Sequence, residues 1–145
     1  MSKREGLSRH LLTGFLLALL IYAAGYALFA HLQKRHGPWR VQFISQPGEP
    51  PRLVISEPQL AIAGARLTFA GQSAPATNFP MVFDQPREVP FELPFGKCTF
   101  METISLPGTL VFVMFGHEIQ LLPSSLTVDG KAYAWAQATN LELPK

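Results

Sequence analysis

The chain falls into two hydropathy regimes. From Leu11 to Leu32 the sequence LLTGFLLALLIYAAGYALFAHL runs 22 positions without a charge. Its apolar residues follow no stripe but cover every helical direction, the pattern of a helix surrounded by lipid rather than one packed on a soluble core. At ~1.5 Å rise per residue such a helix reaches ~33 Å, close to the hydrocarbon thickness of a bilayer. The segment is read as a transmembrane helix over 11–32, after a short basic tail at 1–10 and before a short linker at 33–38. A cleaved secretory signal is the competing reading, with Lys3, Arg4 and Arg9 as its basic region and small residues at Ala23–Gly25 or Gly25–Ala27 for cleavage. Hydrophobicity that continues to Leu32 favours the anchor.

After residue 38 the period changes from helical to 2. Trp39, Val41 and Phe43 alternate with Arg40 and Gln42, so WRVQFIS predicts a half-buried strand. Arg52–Ser56 is a second strand candidate. Gln59–Ala63 and Arg66–Ala70 flank Gly64-Ala65, which predicts a type II′ hairpin. Phe79–Phe83 and Val89–Phe95 carry Pro80, Pro90 and Pro94 and belong at sheet edges. Lys97–Ser105 leads into Leu106-Pro107-Gly108-Thr109, which predicts a type II turn. LVFVMF (110–115) is apolar at every position, as a central strand covered on both faces would be. Gly116-His117 predicts a II′ turn into Glu118–Leu122. Asp129-Gly130, between Leu126–Val128 and Lys131–Trp135, is the strongest hairpin signal in the chain. Asn140–Lys145 reads as a tail or a final edge strand. The expected fold is a single transmembrane helix followed by an all-β domain over 39–145, an antiparallel β-sandwich or small barrel.

All 13 prolines lie beyond residue 37, which excludes long helices there. The 109 residues after position 36 suffice for one cored domain, not two. The net charge of +2 hides an asymmetry: residues 1–36 hold five Lys/Arg against one acid, and residues 37–145 hold seven against nine. The basic balance therefore sits at the membrane flanks, where it suits anionic headgroups. No basic face marks the domain as a nucleic-acid binder. Lys3, Arg4 and Arg9 on one flank nearly match Lys34, Arg35 and Arg40 on the other, so charge alone barely orients the helix. A short basic tail running straight into the apolar segment resembles a signal-anchor. It predicts an extracytoplasmic β domain, periplasmic in a bacterium.

Chemistry-bearing residues are sparse. Cys98 is the single cysteine, so no intramolecular disulfide forms. It alternates with Phe100 in CTFMET as an inward strand residue does, and reads as a buried structural thiol. Cys98, Met101, Met114 and His117 approach a copper ligand set but lack a second histidine in the domain. Ser124, Ser125, His117 and Asp129 make a triad only on paper, with no nucleophile elbow around either serine. His117-Glu118 reads as a solvated turn. No cofactor, metal or catalytic residue is expected.

The remaining signal is apolar and points to partners. Gly14 and Ala18 sit four apart, as do Ala23 and Ala27, a spacing that lets another helix approach closely. Tyr22 and Tyr26 place hydroxyls inside the segment, where a protein neighbour satisfies them better than lipid. Trp39 belongs either to the headgroup layer or to the first layer of the core. In FPMVFDQPREVPFELPF, Phe79, Phe83, Phe91 and Phe95 are set among prolines along broken edges that suit docking. The short linker holds the domain close to the membrane surface. Together these features predict a non-catalytic accessory or scaffold subunit of a larger membrane complex, with lipid and other transmembrane subunits as partners. The alternatives are a tethered module for a lipid, glycan or peptide, and a transient assembly factor.

Overall fold

The computed structural model describes the backbone of residues 2–32 and 36–145 and the side chains of residues 6–30 and 36–145. Lys34 and Arg35 of the predicted linker lie outside the described residues, as do the side chains of Lys3, Arg4 and His31. The chain divides into two units, Met1–Lys34 and Arg35–Lys145.

The first unit is one helix, α1 (Ser2–Leu32), which takes in most of the segment read as a tail. Gly6–Ala30 is long and apolar enough to cross a membrane, with a mean hydropathy of 2.1 and none of the apolar window buried within the protein. Leu11, Phe15, Leu19, Tyr22, Tyr26 and Phe29 are all more than half exposed. The Thr13 hydroxyl donates to the Arg9 carbonyl at 2.8 Å, so this polar group is satisfied within the helix itself.

The second unit is all β. Its strands are β1 (Trp39–Ser45), β2 (Arg52–Glu57), β3 (Ile62–Phe69), β4 (Thr77–Phe83), β5 (Phe91–Leu93), β6 (Gly96–Glu102), β7 (Thr109–Met114), β8 (His117–Leu121), β9 (Leu126–Val128), β10 (Lys131–Tyr133) and β11 (Asn140–Leu143). They form two sheets, ordered β11-β3-β2-β1-β4 and β10-β9-β8-β7-β6-β5. The ladders are antiparallel except that β11 runs parallel to β3. The architecture is a β-sandwich, entered through a helix.

Alternation explains the core. Trp39, Val41 and Phe43 of β1 and Leu53 and Ile55 of β2 face Leu110, Phe112 and Met114 of β7 and Ile119 and Leu121 of β8, all 0–1% exposed. Aromatic rings fill the space between them: Phe43–Phe95 at 5.8 Å, Phe69–Phe115 at 5.0 Å and Phe83–Phe112 at 5.5 Å between centroids. Each large side chain so buried contributes about 1.5–3 kcal/mol. The outer face of β7 is thinner than its sequence suggests, since Val111 and Val113 remain half-buried.

The strand registers define two ends. The proximal end is where the chain arrives from the helix: the His36 N–H donates to the Leu106 carbonyl at 3.0 Å, and Trp39 pairs with Phe83. The distal end carries the β7–β8 and β9–β10 turns. Asp129 (φ 51) and Gly130 (φ 81) form the expected hairpin.

Several local expectations are corrected. Gly64-Ala65 does not turn the chain. The reversal between β2 and β3 occurs at Pro58–Ala61, where the Glu57 carboxylate accepts the Leu60 N–H at 2.6 Å and Ala61 adopts a left-handed conformation, φ 59. Gly64 instead lies within β3. The Leu106–Pro107 peptide is cis, and Gly108 takes a left-handed φ of 72. The β7–β8 turn is Phe115-Gly116 rather than Gly116-His117, with Phe115 at φ 50 and its ring held against Phe69 and Phe95. His117 is thereby the first residue of β8, opposite Met114. A bulge between Cys98 and Phe100 breaks the alternation in β6, leaving Cys98 buried and Phe100 49% exposed.

Candidate functional site

The residues singled out for docking separate into three groups. On α1, Gly14, Ala18, Tyr22 and Tyr26 lie within the exposed run, Tyr22 at 72% and Tyr26 at 68%, and a Cβ added at Gly14 would meet no atom within 4 Å. In the domain, Trp39, Phe83 and Phe95 are core residues, 0%, 1% and 7% exposed, and burial removes them from any docking surface. Trp39 stacks on Trp135 at 5.2 Å, and its indole N–H donates to the Gly108 carbonyl at 3.1 Å, a buried bond between the two sheets. Phe91 is half-buried under the Arg87 guanidinium, which lies 5.0 Å from its ring centre. Only Phe79 remains substantially open, at 49%.

Phe79 belongs to an open flank of the sandwich. β4 is the edge of its sheet, so one side of its backbone has no neighbouring strand. In the other sheet β5 covers β6 only over Gly96–Cys98, leaving the second half of β6 without a neighbour on that side. Between these two edges lies a cleft of about 310 Å³ lined by 79–87 and by Met101. Val82 and Phe100 are also exposed on the strands that border it, at 48% and 49%. Pro80, in the middle of β4, has no N–H to offer an added strand, which limits pairing along this edge. Phe100 escapes sequence reasoning, because its exposure follows from the bulge in β6.

Two further clefts are open at the surface. One, about 460 Å³, is lined by 60–65 with Trp135, Ala136 and Thr139, where β11 has not yet joined β3. The other, about 480 Å³, lies at the distal end among 46–50, 70–74 and Glu142. Between the sheets, side chains from both form one hydrophobic cluster.

The polar constellations are local. His117 Nδ1 lies 2.6 Å from Asp129 Oδ2, and Nε2 lies 2.9 Å from the Pro144 carbonyl oxygen, so both ring nitrogens meet acceptors. The other Asp129 oxygen accepts the Glu118 N–H at 2.9 Å. The His117 hydrogen bond, followed by that from Glu118, holds the Asp129 carboxyl below its ordinary 3.8. This cluster ties the β8 and β9–β10 hairpins to the segment after β11. Ser124 and Ser125 lie beyond the opposite end of β8, so at ~3.3 Å per residue the strand keeps them well over 10 Å from His117 and the triad does not assemble. Among the described residues no group of three or more His, Cys, Asp or Glu could hold a metal ion. Cys98 donates to the Phe100 carbonyl, with 3.3 Å between sulfur and oxygen, and burial pushes its thiol up to about 11. That is the profile of an inert structural thiol.

Comparison with protein-family models, with curated proteins and with solved structures finds no match to this chain.

Proposed function

We propose that the chain is a non-catalytic, single-pass membrane-anchored accessory or scaffold subunit that packs its helix and its β domain onto a larger membrane protein complex. The observation that carries this reading is the exposure of α1. Its apolar surface is uncovered all round, while the domain fills its core with its own side chains. A helix of this kind belongs in lipid. Gly14 and Ala18 give it a face that another helix can approach, and Tyr22 and Tyr26 give it hydroxyls that favour a protein neighbour. On the domain, the Phe79–Met101 flank offers apolar surface beside an unpaired strand edge. The β domain stands on the extracytoplasmic side in this reading, following the short basic segment ahead of the apolar run.

The test is gentle solubilisation of native membranes, capture through a C-terminal tag, and mass spectrometry of what co-elutes on a sizing column. Stoichiometric co-elution with a defined membrane complex is expected, with the tag accessible only from the extracytoplasmic face of intact cells. A lone small particle would overturn the subunit reading. Sub-stoichiometric clients would replace it with a transient assembly factor. The second reading, a tethered ligand module, rests on the open cleft of about 460 Å³ beside Trp135, which falls within the usual size of small-molecule sites. Native mass spectrometry of the released particle would show a retained lipid or glycan if that reading holds.

A further inference from the structure

We propose that the proximal end of the β domain is a lipid-contact surface, resting in the headgroup layer with Ile104 at its tip. This inference depends on the membrane-anchored reading and deepens it.

The registers bring to this end, besides the 84–90 connection that leaves it at Phe83, four loops: 58–61 between β2 and β3, 103–108 between β6 and β7, 122–125 between β8 and β9, and 134–139 between β10 and β11. Their sequences are PQLA, TISLPG, LPSS and AWAQAT, without a single charged residue. The acids at their margins accept loop N–H groups. Glu57 is fully buried and caps the first loop, and Glu102 Oε1 accepts the N–H groups of Ile104 and Ser105 at 2.6 and 3.1 Å. Exposed charges stand beside these loops: Arg40 of β1 and Asp84, where the chain leaves β4 at this end, with Arg87 and Glu88 further along the connection to β5. The distal end differs: Glu49, His117, Asp129, Lys131 and Lys145 cluster on or beside its loops.

Ile104 is 78% exposed, the most exposed large apolar side chain of the domain. The Glu102 bonds and the Trp39–Gly108 bond hold its turn in place, so the side chain is presented by a fixed loop. The uncharged cleft of about 460 Å³ between 60–65 and Trp135 opens at the same end. Uncharged polar groups, an indole and a projecting aliphatic side chain are the chemistry of the membrane–water interface. The occupant follows from the chain path. The polypeptide reaches this end, and no other, directly from an apolar helix through the linker 33–38.

The test uses the full-length chain in phosphatidylcholine nanodiscs, with one environment-sensitive fluorophore per variant at Ile104→Cys, Ser73→Cys or Ala18→Cys. Cys98 stays in place, since its buried thiol resists labelling. Ser73 is an exposed residue at the distal end, and Ala18 lies within α1. The expected result is a blue-shifted Ile104 label that loses most of its emission to shallow doxyl-labelled lipid, an Ala18 label quenched by deep doxyl lipid, and a Ser73 label that responds only to aqueous iodide. An Ile104 label that behaves like Ser73 while Ala18 is quenched overturns the lipid contact and leaves the anchor standing. An Ile104 label shielded from both lipid and iodide overturns it in favour of a second copy seated there. If Ala18 also escapes lipid quenching, the anchored reading fails and this inference fails with it.

Discussion

The two ends of the sandwich are closed by different means. At the distal end two tight turns, Phe115-Gly116 and Asp129-Gly130, take left-handed backbone beside the longer connections 46–51 and 70–76, and His117 pairs with Asp129 at the surface. At the proximal end four connections run four to six residues, and side chains meet several of their backbone groups. Trp39 and Trp135 donate to the Gly108 and Leu122 carbonyls, while Glu57 and Glu102 accept loop N–H groups. A short turn needs no side chain to satisfy it, so its residues remain available to water. A longer loop needs its backbone donors and acceptors met. Meeting them from within leaves these four loops without charged residues of their own.

The largest expected effect comes from removing the group that closes the proximal end. Trp39→Ala deletes a fully buried indole that stacks on Trp135 and bonds across the sheets to Gly108. A loss of about 3–5 kcal/mol is expected in denaturant unfolding of the domain, as for other large-to-small core changes. A loss below 1 kcal/mol would mean that the proximal loops close without it, and the contrast between the ends would lose its physical basis.

Glu102→Ala isolates a single proximal loop. Two backbone donors, Ile104 and Ser105, lose a charged acceptor on a half-buried side chain. The expected cost is about 1–2 kcal/mol, in the range of a lost helix cap or a charged hydrogen bond. Faster amide exchange should be confined to 103–108. Exchange that also quickened across the Phe115-Gly116 and Asp129-Gly130 turns would show that the two ends are not independent.

How far such contrasts were legible in the sequence depends on the kind of signal. The helix, the alternation in WRVQFIS and the Asp129-Gly130 turn were legible, because each rests on local periodicity or on one residue's backbone freedom. The failures share a cause. Ala61 and Phe115 occupy left-handed positions that composition assigns to glycine, since the Glu57 cap and the Phe69 and Phe95 rings hold them there. Phe100 faces outward because one extra residue in β6 shifts the alternation, and no pattern within CTFMET signals a bulge. The aromatics among the prolines could not be sorted from sequence: Phe83 and Phe95 are sealed by strands distant in the chain, whereas Phe79 lies where no strand covers it. The uncharged loops were visible as strings of letters. That they converge on one end is a property of the sheet order alone, so Ile104, an isolated apolar residue in a turn, carried no sequence signal.

The smallest effect tests the distal end and turns on pH. Asp129 binds His117 and the Glu118 N–H while half exposed, so its contribution is that of a surface pair, about 0.2–1 kcal/mol. Its carboxyl titrates below the ordinary 3.8 in the folded chain. A carboxyl lowered on folding adds stability in full above its unfolded value and loses it as pH falls through the folded one. The wild type should therefore exceed Asp129→Asn in stability near neutrality, and the gap should close as pH drops from 3.8 downward. Because His117 also reaches the Pro144 carbonyl, the loss should appear first as exchange in β11 rather than as global unfolding. Trp39 and Trp135 fluorescence, which reports the proximal end, should stay constant over the same range. A shift in that emission together with β11 opening would join the ends into one cooperative unit and remove the distinction drawn between them.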